Sequence, residues 1–201
     1  MQRLSNKIIN RLTLYHCVLR HTLTDKAFVA SQELAGLLRL DDSQVRKDIA
    51  LCGVLGRQKH GYPVSDLKQA IEKTLGFAER KGVFVIGAGN LGSALINYAD
   101  FRDYGIDIPA LFDNDPLKIG QIMNGTPVHA LTELADQMRR QNIKNIILAV
   151  PPKAAQSVVD EAVRGGARFI WNFTPCVVRV PDTVVVCYEN IISGFLQMQN
   201  G

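Results

Sequence analysis

Three groups of residues in this chain have types and spacings suited to chemistry. The first is Gly87-Ala88-Gly89-Asn90-Leu91-Gly92, which follows the apolar run Val83-Phe84-Val85-Ile86 and precedes a helical pattern of Ala94, Leu95 and Tyr98. A GxGxxG between a strand and a helix is a phosphate loop. The first glycine permits the tight turn, the second lets a pyrophosphate approach the backbone, and the third lets helix and strand pack closely. Unpaired N–H groups and the positive helix end then face the phosphates. The second group is Asp113, at the end of Ile108-Pro109-Ala110-Leu111-Phe112. It stands about twenty residues past the last glycine, where a dinucleotide fold places the acid that bonds the ribose hydroxyls. No arginine follows it at once to accept a 2′-phosphate, which favours NAD(H) over NADP(H). A turn with no ligand is the competing reading of the glycines.

The third group is basic and lies near the front. Ser43, Gln44, Arg46 and Lys47 open a helical pattern whose other face is Val45, Ile49 and Cys52, and Arg57, Lys59 and His60 follow between glycines. Polar and basic residues at the start of the second of two short helices reach base edges in a major groove, and a basic hairpin behind them can touch phosphate or minor groove. Ordinary solvated helix residues are the competing reading.

The elements that must position these groups follow from periodicity. Leu4, Ile8, Ile9, Leu12, Tyr15 and Leu19 predict a first helix within residues 1–22, with Arg3, Lys7 and Arg11 on another face. Phe28-Val29-Ala30 leads to Ser31, expected as the N-cap of a second helix that buries Leu34, Ala35, Leu37 and Leu38. Asp41 or Asp42 caps the third helix, and Gly53 to Tyr62 is a hairpin or wing. Residues 65–81 are expected as a connecting helix (Leu67, Ile71, Leu75) that closes the first domain. Behind it strands and helices alternate: a helix near 132–142, a strand at 145–150, a helix over 153–164, a strand at 168–173 and a last one at Val184-Val185-Val186. Ligands of open parallel sheets sit beyond the carboxyl ends of the strands, so Gly87, Asp113, Val150-Pro151 and Asn172-Phe173-Thr174 should converge on one crevice. His129, the only histidine behind residue 80, is placed at a helix entry and read as structural. The end, with Ile191, Ile192, Phe195, Leu196 and Met198, is too apolar to stay in water and should dock on its own sheet or on a second subunit.

Composition narrows the class. With 201 residues, 47% hydrophobic and 21% charged, the chain supports one large or two small globular domains. Its four cysteines, Cys17, Cys52, Cys176 and Cys187, form no CxxC pair and have no histidine at ligand spacing, which argues against a zinc or disulfide framework and for reduced cytosolic thiols. No apolar run reaches the ~18 residues of a membrane span, and no signal peptide is visible. Residues 1–24 are basic and free of acids, a faint likeness to a transit peptide, but they run without a break into the folded pattern. The formal charge of +4 is unevenly shared: residues 1–80 hold 13 Lys/Arg against 8 Asp/Glu, and residues 81–201 hold 10 against 11. The front is therefore the part suited to a polyanion.

With a winged helix ahead of a dinucleotide fold, the chain resembles the Rex family of bacterial redox-sensing transcriptional repressors over nearly its whole length. The resemblance rests on Arg11-Leu12-Thr13-Leu14-Tyr15, Ser31-Gln32-Glu33-Leu34, Gln44-Val45-Arg46-Lys47-Asp48, the glycine loop, Phe112-Asp113-Asn114-Asp115-Pro116 with Lys118-Ile119-Gly120, and Asn172-Phe173-Thr174-Pro175. It implies a cytoplasmic homodimer, without metal or membrane, that holds palindromic double-stranded operator DNA when NADH is scarce and releases it when NADH binds, and whose C-terminal helix swaps into the partner. It implies DNA contact for Arg11, Tyr15, Ser31, Gln44, Arg46, Lys47, Arg57 and Lys59. For NADH or NAD⁺ it implies Gly87, Ala88, Gly89, Asn90, Leu91, Gly92, Asp113, Lys118, Val150, Pro151, Asn172, Phe173 and Thr174, with Tyr98 on the nicotinamide side. The chain departs from the family at Cys52, where a Phe is usual, at Gln58-Lys59, where the wing has Arg-Gly, and at Asn190-Ile191-Ile192-Ser193, which lacks the acid that opens the last helix.

The expected architecture is α/β: an N-terminal winged helix-turn-helix domain (1–80), a Rossmann-like dinucleotide-binding domain (81–188) and a C-terminal dimerisation helix (189–201). The expected function is a repressor that senses the NADH/NAD⁺ ratio and is not an enzyme, since no substrate domain and no acid or base near the nicotinamide is evident. An NAD-dependent oxidoreductase with an appended basic domain, and a nucleotide-binding module that only mediates assembly, are the alternatives.

Overall fold

A computed structural model describes residues 4–200, with the backbone alone described at Ala99, Ile191, Gly194, Gln197 and Asn200. Arg3, expected in the basic series of the first helix, lies outside the described residues, as does the side chain of Ile191. The chain divides into two compact units, one ending at Glu79 and the other beginning at Arg80.

The first unit runs α1 (Asn6–His21), β1 (Phe28–Val29), α2 (Ser31–Leu38), α3 (Asp42–Leu51), β2 (Tyr62–Pro63) and α4 (Val64–Leu75). Ser5 caps α1 by accepting the Ile8 N–H. The apolar stripes of the four helices meet in one core of Leu12, Tyr15, Leu19, Leu34, Val45, Ile49, Leu67 and Ile71. Three expectations need correction. Ser31 is the first residue of α2 and not its cap: Ala30 takes that place in extended conformation with no side-chain bond. The reason is β1, which pairs antiparallel with β2 and holds the chain extended through Val29. On α2 only Leu34 and Ala35 are buried, while Leu37 is half exposed. The helix expected to reach Lys81 stops at Leu75, because Gly76 turns left-handed and the Phe77 and Gly76 N–H groups return to the Glu72 and Lys73 carbonyls.

The second unit carries β3 (Lys81–Ile86), α5 (Asn90–Ile96), β4 (Ile106–Asp107), β5 (Leu111–Asp113), β6 (Ile122–Met123), β7 (Thr126–Ala130), α6 (Leu134–Gln141), β8 (Asn145–Leu148), α7 (Pro152–Arg164), β9 (Phe169–Asn172), β10 (Val185–Tyr188) and α8 (Ile191–Asn200). The sheet order is β10-β9-β8-β3-β5-β7-β6, parallel except for β6, with β4 also paired to β3. This is the doubly wound order in which the connections reverse direction between β3 and β8. Alternation along β3 divides the core: Phe84 and Ile86 face α6 and α7, while Val83 and Val85 face the Leu95 and Ile96 side of α5.

Two placements differ from expectation. The link from β5 to β7 has no helix and passes through a turn and the β6–β7 hairpin, so His129 lies within β7, opposite Phe112, and not at a helix entry. Tyr98 is not on α5: the Asn97 side chain donates to the Ser93 carbonyl and the helix ends at Ile96, leaving Tyr98 extended ahead of a 3-10 turn over Ala99–Arg102.

Candidate DNA-reading helix and dinucleotide cleft

In the first unit, α2 and α3 are joined by a tight turn in which Arg39 takes a left-handed conformation, φ 54°, and Asp41 caps α3 by accepting the Gln44 N–H at 3.1 Å. Bonds from the Ser43 hydroxyl and then the Gln44 N–H hold the Asp41 carboxyl below its usual range. Arg46 and Lys47 are exposed; Arg46 is 3.1 Å from Asp42 one turn earlier. Behind α3 the wing closes through a bridge between Arg57 and Gly61 and the β1–β2 pair. The Arg57 guanidinium sits over the Phe28 ring at 5.3 Å, and Lys59 is exposed at the tip. The strand β1 that anchors this wing has no signature in the sequence, since two residues carry no periodicity.

Other residues expected at the DNA face turn inward. Asp48 of α3 is buried and accepts four donors: Arg11 Nε at 2.6 Å, Arg11 Nη2 at 2.9 Å, the Tyr15 hydroxyl at 2.8 Å and Gln44 Nε2 at 2.9 Å. Tyr15 is fully buried and cannot touch a duplex; the expectation of DNA contact fails because this carboxylate draws its hydroxyl into the core. Arg11 gives two donors to the same carboxylate, so its first task is to fix α3 on α1. Burial raises the Asp48 carboxyl, but the bonds from Arg11, Tyr15 and Gln44 outweigh it and the net shift is downward. Burial, then the bond to Asp48, pushes the Tyr15 hydroxyl well above its usual range. Ser31 is half-buried at the first turn of α2.

In the second unit a cleft of about 350 Å³ lies at the carboxyl ends of β3, β5 and β8, lined by Gly87, Gly89, Asp113, Lys118, Val150 and Pro151 among others. The three glycines do different work. A Cβ at Gly87 would run into the Ala149 carbonyl, with φ already at +103°, and one at Gly92 would run into the Gly87 carbonyl. At Gly89 a Cβ would meet nothing, and the backbone is ordinarily extended. The open space above Gly89 is therefore room for a ligand and not a folding requirement. Asn90 and Leu91 supply the first turn of α5, whose N–H groups have no carbonyl before them in the helix. Asp113 closes the cleft: Oδ2 accepts the Ala88 N–H at 2.8 Å and Lys118 Nζ at 3.2 Å, and Oδ1 accepts the Asp115 N–H at 2.9 Å. Burial opposes ionisation of Asp113, but the Asp115 and Ala88 N–H groups and then Lys118 prevail and hold the carboxyl below its usual range. A diphosphate against Gly89 and a ribose against Asp113 fit this donor and acceptor set.

The remaining expected residues do not line the cleft. Asn172 and Thr174 are buried and spend their side chains within the loop after β9: Asn172 bonds the Thr174 N–H and the Cys176 carbonyl, and the Thr174 hydroxyl donates to the Val150 carbonyl at 2.8 Å. They tie the ends of β8 and β9 together and so hold Val150 and Pro151 in place. Phe173 joins an aromatic row, Phe173 to Trp171 at 4.8 Å, Trp171 to Phe101 at 6.3 Å and Phe101 to Tyr98 at 5.1 Å. Tyr98, 57% exposed, lines a separate hollow with Phe101, Arg102 and Asn124. His129 pairs with Glu133 at 3.5 Å. Among the described residues no three His, Cys, Asp or Glu gather to hold a metal, and no helix is long and apolar enough to cross a membrane.

Comparison with known proteins bears on both units. Residues 3–50 match the family described as "Putative DNA-binding protein N-terminus", and residues 78–176 match the CoA binding domain family. The redox-sensing transcriptional repressor Rex of Treponema denticola is 40% identical over 191 residues, 94% of this chain and 91% of that one. The Rex of Roseiflexus sp. (strain RS-1) is also 40% identical, over 94% of this chain and 86% of its own. The chain belongs to the Rex family. Among solved structures, RSP, a Rex-family repressor, in complex with β-NAD⁺ and operator DNA aligns with a TM-score of 0.88 at 32% identity, over 99% of this chain and 92% of that one. RSP in complex with β-NADH aligns at 0.87 and 30% identity, over 99% and 94%. The Rex likeness therefore spans the helix-turn-helix and the glycine loop alike.

Proposed function

We propose that this Rex-family chain is a redox-sensing transcriptional repressor that holds operator DNA through its first unit and releases it when NADH occupies its second. The observation that carries the reading is the likeness, over 99% of the chain, to a Rex-family repressor solved both with NAD⁺ and operator DNA and with NADH. The chain acts as a sensor and not as an enzyme: bound dinucleotide supplies free energy and no chemical step.

In this reading Arg46 and Lys47 reach the major groove from α3, Arg57 and Lys59 hold phosphates from the wing, and Ser31 and Gln44 contribute from the starts of α2 and α3. Arg11 acts through Asp48. The glycine loop takes the diphosphate, Asp113 and Lys118 face the adenosine ribose, and the aromatic row from Tyr98 to Phe173 serves the nicotinamide side. The working form is a cytoplasmic homodimer. Large apolar side chains of α8 are exposed in the single chain, Ile192 at 68% and Met198 at 72%, and need a cover that a partner copy provides. Two α3 helices enter successive major grooves only when held ~34 Å apart, so a ligand that favours another dimer geometry removes one set of contacts. Driving such an equilibrium from 1:99 to 99:1 takes about 5.5 kcal/mol of differential binding.

The test is fluorescence anisotropy of a labelled palindromic duplex with the full chain, titrated with NADH or NAD⁺. NADH should weaken duplex binding and NAD⁺ should not. Simultaneous binding of NADH and duplex at undiminished affinity overturns the reading.

A further inference from the structure

Asp48 does more than fasten α3 to α1. An ionised carboxylate has lone pairs and no hydrogen to give, so whatever bonds it must donate. For Gln44 this settles a choice that a glutamine in water keeps open. Its amide could turn either end toward α1, but only the NH₂ end can bond Asp48, and Nε2 donates to Oδ1 at 2.9 Å. Oδ1 also accepts Arg11 Nη2 at 2.9 Å, and Oδ2 accepts Arg11 Nε and the Tyr15 hydroxyl, so the acceptor is braced from α1 and does not follow the glutamine. The Gln44 carbonyl oxygen is thereby held on the opposite side. Gln44 lies in the first turn of α3, half-buried, next to the exposed Ser43 and ahead of the exposed Arg46 and Lys47. Among the described residues no donor reaches its Oε1, and no second acceptor takes its other amide hydrogen. One unspent acceptor and one unspent donor thus stand side by side in a single plane, at the end of the helix that enters the major groove.

In that groove adenine alone presents a donor, the N6 amino group, beside an acceptor, N7. Guanine presents two acceptors, cytosine one donor, and thymine one acceptor and a methyl group. A glutamine free to turn could give both amide hydrogens to guanine. One hydrogen of Gln44 is spent on Asp48, so guanine would set its O6 against Oε1, oxygen facing oxygen. Adenine takes two bonds, and either pyrimidine takes one. We infer that Gln44 reads an adenine in each half-site, and that Asp48 fixes the identity of that base by holding the amide one way round. Gln44 touches the base, and Asp48 is a positioning residue. The inference rests on the repressor reading above and goes beyond it, because it names the base that one residue recognises and gives the buried network between α1 and α3 a part in sequence choice.

The experiment selects tight-binding duplexes from a palindromic library randomised in both half-sites, with the full wild-type chain and no NADH. Each adenine of the selected half-site is then replaced, in labelled duplexes read by fluorescence anisotropy, by 7-deazaadenine, which lacks the N7 acceptor, by purine, which lacks the N6 amino group, and by guanine in a G·C pair. At one adenine per half-site all three replacements should weaken wild-type binding by at least about tenfold, which corresponds to about 1.4 kcal/mol. Gln44→Met should be indifferent to them at that position while keeping the wild-type preferences elsewhere. Asp48→Asn keeps the shape but can offer Gln44 a donor in place of an acceptor, so it should lose the adenine preference there and at no other position. Arg11→Met loosens the same network yet leaves the carboxylate accepting only, and should retain the preference. Thermal melts check the folding of every variant; should Asp48→Asn not fold, the Gln44→Met arm decides. A selected half-site without such an adenine, a loss in Gln44→Met that is uniform across all duplexes, or an adenine preference undiminished in folded Asp48→Asn overturns the inference while leaving the repressor reading standing. A wild-type chain that prefers no duplex over another removes the repressor reading, and the inference with it.

Discussion

Replacing Asp48 by Ala strikes the one carboxylate that gathers four donors from α1 and α3. The side chain of Asp48 is 1% exposed and that of Arg11 20%, so the substitution strands a guanidinium that water reaches only in part. Breaking a buried pair by removing one partner costs about 3–5 kcal/mol, and the access of water to Arg11 argues for the lower end, about 3 kcal/mol. The orphaned Tyr15 hydroxyl is worth about 1 kcal/mol and overlaps with that figure, because the donors share one acceptor. For a domain of this size each kcal/mol moves the melting point by ~4–8 °C, so the first unit should melt ~12–24 °C lower. The assay is a urea or thermal melt followed by circular dichroism, run with Tyr15→Phe, Arg11→Met and the double variant Arg11→Met, Asp48→Ala. Tyr15→Phe should lose only about 1 kcal/mol. The double variant, with no stranded charge, should be more stable than Asp48→Ala. Operator affinity, measured well below each transition, should still fall in Asp48→Ala, because α3 loses its register on α1. A loss below about 1 kcal/mol in Asp48→Ala, or strictly additive effects in the Arg11 and Asp48 pair, refutes the reasoning.

Three further outcomes are expected. Gly89→Ala should keep the wild-type melting point and lose dinucleotide affinity by calorimetry, whereas Gly92→Ala should destabilise the second unit, since only the latter Cβ meets backbone. Stability should erode at both ends of the pH scale. The Asp48 and Asp113 carboxyls lie below their unfolded values, so their contribution is complete above the ordinary carboxyl pKa of about 3.9 and disappears as pH falls through the lower folded values. The Tyr15 hydroxyl lies above its unfolded value, so its contribution is intact below about pH 10 and is lost as pH rises beyond it, a limb that Tyr15→Phe should remove from the melting profile. Finally, Arg46→Ala should cost about 1–3 kcal/mol of operator binding if it reads a guanine, with little change in stability, and Lys47→Ala should flatten the salt dependence; anisotropy at several salt concentrations separates the two.

Much of both sites is legible in the sequence because residue type and spacing dictate it. GxGxxG after an apolar run, an acid at the end of the next strand, and a capped helix opening on polar residues leave few other arrangements. What the sequence conceals depends on contacts between distant elements. Arg11 reads as part of an exposed basic edge, and only Asp48, arriving from α3, turns it inward; the apolar spacing of α1 puts Tyr15 in the core, and the same carboxylate takes the hydroxyl that the family resemblance assigns to DNA. Tyr98 continues the helical spacing of Ala94 and Leu95, yet a side-chain bond from Asn97 ends the helix first. Asn172 and Thr174 stand at a strand end as ligand-binding residues do, but their partners are in their own loop and at Val150. β1 leaves no trace in a pattern of period two, because its two residues are defined by their pairing with Tyr62–Pro63.

The uncovered apolar side chains of α8 and of the neighbouring strand β10, where Val185 and Tyr188 are also half exposed, tie the protein's fate to its own abundance. In the proposed homodimer a chain meets its twin to shield these residues, so its folding equilibrium shifts with concentration: dilution lowers its melting point while a surplus protects it. A newly made copy without a companion offers a sticky end to chaperones and proteases. The cell's supply of working repressor then rises more steeply than its rate of synthesis.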